Sequence, residues 1–275
     1  MLLSVVIANY NYGQYLEAAI RSVLAQGRKD VELIVVDGGS TDDSVEVIRR
    51  YEGHLAWWVS ERDRGQSEAF NKGFEKASGK YLTWLNADDL MPAGSLDRIC
   101  RELKRHPKCD WFTGNFFRFV ESGEVIEVGW GPHVYPRLLQ RPNSPVVVFG
   151  PTSFFSKRIW TEVGKIDEGL HLIMDTDLWI RFMMAGIKQR RINCFCWAFR
   201  MHAASKTAEF GNHVLDEKMA RRMREENEIV KAKTHYRCSA ALHRLLLLWR
   251  LLDGSFLRRM YLQRTFRHYL AGGGE

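Results

Sequence analysis

A chain of 275 residues, 45% of them hydrophobic, carries enough apolar surface for a full core as one large domain or a domain with an appendage, which excludes a disordered tail. Its net charge of +7 and pI near 9.2 point to a polyanionic partner, with much of the excess after Lys218. No zinc-finger spacing, basic zipper or RNA-binding aromatic signature accompanies that charge, so phosphate-bearing substrates or anionic headgroups are expected and nucleic acid is not.

Leu2 to Ile7 and Val31 to Val36 are near-continuous runs of Val, Ile and Leu, the pattern of parallel strands covered on both faces. The first run lacks the charged start and cleavage site of a signal peptide, and no window reaches the roughly 18 apolar residues of a membrane span, so a cytoplasmic protein is expected. Between the runs, Leu16, Ala19, Ile20, Val23 and Leu24 keep helical spacing over Tyr15 to Gln26, with Gly27 as a stop. The second strand ends at Asp37 and enters Gly38, Gly39, Ser40, Thr41 and Asp42, after which Val45 and Ile48 resume a helical period to about Tyr51. Strands over Ala56 to Ser60 and Lys80 to Leu85 flank a helix over Ser67 to Ala77. This alternation predicts an open, mostly parallel sheet with its ligand at the carboxyl ends of the strands.

Asp110 to Val120 and Val125 to Gly131 pattern as strands joined by a turn at Glu121, Ser122 and Gly123, and a loop-rich stretch runs from Pro132 to Pro145. Phe149 to Phe155 is strand-like, Lys157 to Val163 is a short helix, and Asp175 to Ala185 is a helix with Trp179, Ile180, Phe182 and Met183 on its apolar side. Cys194 and Cys196 alternate within the strand-like Ile192 to Phe199, where packing is the expected role. With Cys100, Cys109 and Cys238 the cysteines make an odd count that fits no disulfide framework or zinc site and suggests a reducing compartment. Asp216 to Lys233 is a charged, solvated helical stretch. His243 to Leu252 and Phe256 to Leu262 mix large apolar residues with Arg, a composition that suits either a headgroup layer or packing against the domain or a second subunit. The glycines at 272–274 form a frayed end.

Acidic residues stand where predicted strands end: Asp37 after one, Asp88 and Asp89 after another. A carboxylate leaving a buried strand can hold a ribose hydroxyl or a hard cation, or simply cap a turn.

Four segments in order decide how these carboxylates are understood: Ser4-Val5-Val6-Ile7-Ala8-Asn9-Tyr10-Asn11; Val36-Asp37-Gly38-Gly39-Ser40-Thr41-Asp42-Asp43-Ser44; the stretch from Ser60 to Gly73; and Asn86-Ala87-Asp88-Asp89. Together they resemble the inverting glycosyltransferase family 2 over roughly the first 205 residues. The resemblance implies an α/β, Rossmann-like GT-A fold, a mostly parallel central sheet flanked by helices. It divides the chain into a catalytic domain over 1–210, with a nucleotide-sugar half to about residue 90 and an acceptor half beyond, and a helical extension over 211–275.

The resemblance also assigns roles. Ala8, Asn9, Tyr10 and Asn11 line the nucleotide pocket, Asp37 holds the base or ribose of a uridine-type donor, Asp63 and Gly65 pass over the base, and Asn71 contacts the donor. Asn86-Ala87-Asp88 matches the DXD motif, so Asp88, with Asp89 and His202, holds Mn²⁺ or Mg²⁺ on the diphosphate. Asp175 matches the catalytic base, with Asp177 the alternative, and Arg200 or Lys206 faces phosphate. Three positions depart from the family pattern: Asn86 for Asp, Phe70 for Arg and Met174 for Glu. The implied partners are a nucleotide-diphosphate sugar and a saccharide or lipid-linked acceptor, as in cell-surface polysaccharide or glycolipid synthesis, with peripheral contact at the inner face of the membrane.

Two other classes stand beside this one. A Rossmann oxidoreductase shares the strand, helix, strand start, but the glycines after Asp37 are adjacent and no Gly-x-Gly-x-x-Gly opens the first helix. A sugar-nucleotide-binding module without catalysis fits Asn86 and Met174. Trp57, Trp58, Trp111 and Trp130 are taken as packing residues.

Overall fold

In the computed structural model, which describes residues 1–129, 146, 148, 150–203, 205 and 217–252, the Val, Ile and Leu runs form the inner strands of an eight-stranded sheet. In chain order the elements are β1 (Leu3–Asn9), α1 (Gly13–Leu24), β2 (Val31–Asp37), α2 (Ser44–Tyr51), β3 (Trp57–Ser60), α3 (Gln66–Lys76), β4 (Tyr81–Asn86), α4 (Ser95–Arg105), β5 (Trp111–Val120), β6 (Val125–Gly129), β7 (Ser153–Ser156), α5 (Lys157–Val163), α6 (Met174–Met184), β8 (Gln189–Met201), α7 (Glu217–Thr234) and α8 (Ala240–Leu252).

The strands lie in the order β3-β2-β1-β4-β7-β5-β6, with β8 on the other side of β5. Strands β1 to β4 are mutually parallel, β7 runs antiparallel to β4 and β5, and β5 with β6 forms the expected hairpin. β8 returns parallel to β5. The chain winds from β1 outward to β3 and then crosses back to place β4 on the other side of β1. That reversal opens a crevice at the carboxyl ends of β1 and β4.

Both faces of the sheet are covered, which is why its central strands are apolar throughout. On one face Val6, Ile34 and Trp84 pack with Phe70 and Phe74 of α3 and Trp179 and Phe182 of α6. On the other, Val5, Ile7 and Val35 pack with Leu16 and Ile20 of α1 and Leu96, Ile99 and Leu103 of α4. Val230 of α7 joins the first cluster, so this helix is packed on the domain rather than solvated on every side.

Three differences from the sequence expectation have physical causes. Helix α4 was not anticipated, although Leu96, Ile99, Cys100 and Leu103 are buried at i, i+3, i+4 and i+7. The predicted strand over Phe149 to Phe155 is shortened, because Gly150–Thr152 turn as a 3₁₀ segment around Pro151, which lacks the amide a ladder needs. β8 extends beyond 192–199 at both ends because β5 offers it a partner over nearly its whole length. Trp130, 131–145, Phe149, Lys206, Asp216, 256–262 and 272–274 lie outside the described residues. Trp111 is a packing residue as expected, its indole donating to Ser153 Oγ at 2.7 Å.

On α8, Leu246 is buried while Leu245, Leu248 and Leu252 are 42, 56 and 81% exposed. Among the described residues no helix is long and apolar enough to cross a membrane.

Candidate active site

A cleft of about 770 Å³ opens over the carboxyl ends of β1 and β4, bounded on the far side by the start of α6. Of the residues singled out by sequence, it brings together Ala8, Asn9, Tyr10, Asp63, Gly65, Asn86, Ala87, Asp88 and Asp175. Asn11, Asp37, Asn71, Asp89, Asp177 and Arg200 do not line it, and their contacts show how each is engaged; His202 stands behind Asp88.

The floor is set by Asp37. Its carboxylate is fully enclosed and takes Asn9 Nδ2 at 2.7 Å, Ser60 Oγ at 2.6 Å, the Ser40 hydroxyl, and the amides of Gly39 and Ser40. Asp37, expected to hold a base or ribose, does not itself line the cleft; with these five donors it fixes the turn that carries Gly38 and Gly39 into the wall. Asn11 likewise lies outside the cleft. It adopts a positive φ of 55° and accepts the Thr41 amide at 2.8 Å, locking the same turn. Gly39 needs its φ of +80°, and the Arg62 backbone crosses so closely that a Cβ would stand 3.1 Å from the Arg62 nitrogen. Asp63 leans on Gly38 and accepts the Gly65 amide at 2.8 Å. Burial raises its carboxyl above the ordinary value while that amide pulls it down. Lys72 ties this loop to α3 by pairing with Glu61 and Glu68.

At the end of β4 the departure Asn86 is explained by its neighbours. Its amide donates to Asp89 Oδ2 at 2.7 Å and accepts from Gln66 Nε2 at 2.6 Å. A carboxylate at 86 would face a second carboxylate at hydrogen-bond distance. Asp89 is fully buried, also accepts the Arg200 amide at 2.9 Å, and points away from the cleft. Burial first, then the charge of Asp88, drives its carboxyl well above the usual range. Asp88 does face the cleft, with Oδ2 3.1 Å from His202 Nε2. Of the three residues expected to hold a cation, Asp88 and His202 stand together, while Asp89 is turned away from them. Among the described residues no group of three or more His, Cys, Asp and Glu side chains converges as a ready ligand set.

Arg200, expected to face phosphate, does not. Its Nε donates to the Asp88 carbonyl at 2.9 Å and its guanidinium is stacked between Tyr15 at 5.1 Å and Phe119 at 4.8 Å. It braces the 88–89 turn from behind. Tyr12, which sequence reasoning missed, lines the cleft beside His202, ring centroids 5.7 Å apart, and burial together with the charge of Asp88 pushes its phenol up to about 12.

Asp175 and Asp177 open α6 on different sides. Asp175 reaches the cleft, where Oδ2 accepts the Gly150 amide at 3.2 Å and Oδ1 the Thr176 amide at 2.7 Å. Burial lifts its carboxyl above the ordinary aspartate value, opposed by those amides. Asp177 is fully buried away from the cleft and paired with Arg181 at 2.8 Å, while Arg181 also donates to the carbonyls of Val163, Gly164 and Lys165. Asp177, the alternative base, does not line the cleft: Oδ2 is held by Arg181, and Oδ1 is buried without a hydrogen-bond partner among the described residues. Asn71 is also behind the wall. It donates to the Ile166 carbonyl at 2.9 Å and accepts the Ile166 amide at 3.0 Å, pinning the loop that leads to His171.

The lining that sequence did not single out includes Gln66, Trp84, His171 and Ser205. Trp84 alternates inward along β4 and stacks on Trp179 with ring centroids 5.5 Å apart and the ring planes nearly parallel. Its indole nitrogen would stand 3.7 Å from a Cβ placed at Gly150, as would Asp175 Oδ2.

A model of the family described as glycosyl transferase family 2 matches residues 4–161, more than half the chain. The chain belongs to this family. An uncharacterized glycosyltransferase of Nostoc is 43% identical over 102 residues, covering 36% of this family 2 chain and 32% of that protein. One of Rickettsia typhi is 27% identical over 187 residues, covering 66% and 58%. The chain thus spans less than two thirds of these relatives' lengths. Two solved glycosyltransferases share the fold: S. aureus TarS in complex with UDP-GlcNAc, at TM-score 0.61 and 14% identity over 98% of this chain and 74% of that one, and a Pyrobaculum calidifontis mannosyltransferase in complex with GDP-Man and Mn²⁺, at TM-score 0.57 and 16% identity over 98% and 84%. The central sheet with helices on both faces is the GT-A arrangement of those structures.

Proposed function

We propose that this family 2 chain moves a sugar from a uridine-diphosphate donor to an acceptor hydroxyl with inversion, using Asp175 as general base. The observation that carries the reading is that Asp88 and Asp175 open onto one cleft. The first can anchor a diphosphate through a cation. The second can take a proton from an oxygen approaching the sugar from the other side.

Asp88 and His202 are the residues that would hold the cation. A carboxylate oxygen and an imidazole nitrogen 3.1 Å apart would suit a Mn²⁺ or Mg²⁺ ion. When bound, the ion neutralises charge developing on the departing diphosphate. On the nucleotide side, Asn9 Oδ1 is buried with no hydrogen-bond partner among the described residues, an acceptor ready for an N–H or O–H of the donor. The glycines at 38 and 39 let backbone approach the nucleotide.

The acceptor hydroxyl gives its proton to Asp175 as its oxygen bonds to the anomeric carbon, and the bond from that carbon to the diphosphate oxygen breaks with its electrons leaving on the nucleotide. The amides of Gly150 and Thr176 hold the carboxylate in one direction before the acceptor arrives. TarS carrying UDP-GlcNAc supports a uridine donor, and the Mn²⁺ of the archaeal mannosyltransferase supports the cation.

A thermal-shift panel tests this. UDP and UDP-sugars should raise the melting temperature in the presence of Mn²⁺ and not in EDTA; stabilisation by NADH, or by no nucleotide, would refute the reading. Stabilisation without any release of UDP from a UDP-sugar would favour a binding module instead.

The same reading sets α8 against the cytoplasmic face of a membrane, as a lipid-linked acceptor in polysaccharide or glycolipid synthesis requires. Leu245, Leu248 and Leu252 are exposed on a helix that also exposes Arg244, the composition of an interfacial helix on anionic lipid. The protein should float with phosphatidylglycerol vesicles and lose this on Leu248→Glu. Failure of the wild type to float would end this part of the proposal.

A further inference from the structure

Glu226 sits on α7, whose other carboxylates, Glu217, Glu225 and Glu228, are exposed, yet it is only 4% exposed itself. Burying a carboxylate is costly unless its oxygens are satisfied, and here they are. Oε1 accepts the amide of His171 at 3.1 Å, and Oε2 accepts those of Leu172 at 2.9 Å and Ile173 at 3.2 Å. Arg222, one turn earlier, donates to Oε1 at 3.2 Å. Three successive amides around one carboxylate form a nest, and this one ends where α6 begins. Ile173, the residue before the helix, has no side chain able to cap it.

The consequence lies in the cleft. His171, Leu172, Met174 and Asp175 all line it, so the backbone that Glu226 holds is the acceptor-side wall and the stem of the base. From the other side Ser67 of α3 fixes the same stem by donating to the Leu170 carbonyl at 2.8 Å. Attachment of α7 does not depend on Glu226, because Val230 enters the core, Met223 packs against it, and Lys233 pairs with Asp167 at 2.8 Å. An apolar side chain would pack α7 as well as a carboxylate does, so the charge serves the nest.

We infer that Glu226 is a positioning residue for the transfer reaction, holding the 171–173 backbone so that Asp175 points at the acceptor. The inference rests on Asp175 being the base. It is a further duty of the helix that follows the sheet, exerted through backbone amides rather than through the substrate.

Full-length Glu226→Gln and Glu226→Ala test it by three measurements. One is hydrogen exchange at the amides of 171–173. The second is affinity for UDP with Mn²⁺. The third is kcat for UDP release from whichever of UDP-glucose, UDP-galactose and UDP-N-acetylglucosamine the wild type turns over fastest. In Glu226→Ala, exchange at 171–173 should quicken at least tenfold and kcat fall at least tenfold, with UDP affinity within twofold of wild type; Glu226→Gln, which keeps one acceptor oxygen, should lie between. Unchanged exchange, or kcat within twofold of wild type in Glu226→Ala, would overturn the inference, as would kcat and UDP affinity falling in parallel. Undiminished kcat in Asp175→Asn would instead fault the base assignment, with the exchange result still deciding whether Glu226 holds the nest.

Discussion

Asp175→Asn lowers kcat by about three orders of magnitude, within the range a positioned general base contributes, while UDP affinity stays within twofold. Asparagine keeps one acceptor oxygen, which serves the Thr176 amide, and gives up the longer contact to the Gly150 amide, so the proton acceptor is lost together with a single hydrogen bond. The same variant should melt at a higher temperature than wild type at neutral pH. Burial raises the Asp175 carboxyl above its ordinary 3.8, so ionising it costs the folded state free energy as pH climbs past that ordinary value and through the raised one; an amide carries no such cost. Catalysis needs the ionised form, so the acid limb of the kcat profile should fall at a pH above that of an unperturbed aspartate, and Asn should abolish the limb. Asp177→Asn should behave in the opposite way. It leaves the half-buried Arg181 guanidinium without its counter-charge and should destabilise the fold by about 2 kcal/mol while kcat per folded molecule stays within a few-fold. Initial rates paired with denaturant melts separate the two.

What could be seen in the sequence was set by local pattern. β1, β2 and β4 announce themselves because a strand covered on both faces needs apolar residues at every position, and α5 falls at its expected bounds where Lys157 follows Ser156, whose hydroxyl accepts the Ile159 amide. α4 escaped although its four buried positions keep helical spacing, since Arg98, Arg101, Lys104 and Arg105 crowd between them.

In the site, the motif order pointed to strand ends that meet at the cleft but could not say which way each side chain turns. Asp88 and Asp89 are adjacent in sequence, yet one faces the cleft and the other faces Asn86 and the Arg200 amide. Asp37 was legible as a strand-end acid; that five internal donors consume it depends on Ser60 arriving from β3. Arg200 next to His202 resembled a phosphate contact, but Tyr15 and Phe119, distant in sequence, take its guanidinium. Glu226 left no local signal at all. It stands in a helix dense with exposed charge, and only the fold shows that this one carboxylate turns inward to amides more than fifty residues earlier.

The second large effect belongs to Asp88. This side chain is 14% exposed, and its partner His202, at 2%, is held edge-on by Tyr12 and close to Tyr15. Asparagine at 88 preserves the shape and a contact to His202 but removes the negative charge that a divalent ion requires. Affinity for UDP in Mn²⁺ should therefore fall at least about a hundredfold, roughly 3 kcal/mol, and UDP-sugar turnover should become undetectable. Isothermal titration of UDP into wild type, Asp88→Asn and Asp175→Asn, each with Mn²⁺ and with EDTA, tests the shared cleft most directly. The expected result is tight, Mn²⁺-dependent binding in wild type and Asp175→Asn, lost in Asp88→Asn; UDP binding that is equally tight in EDTA, or undiminished in Asp88→Asn, would contradict it.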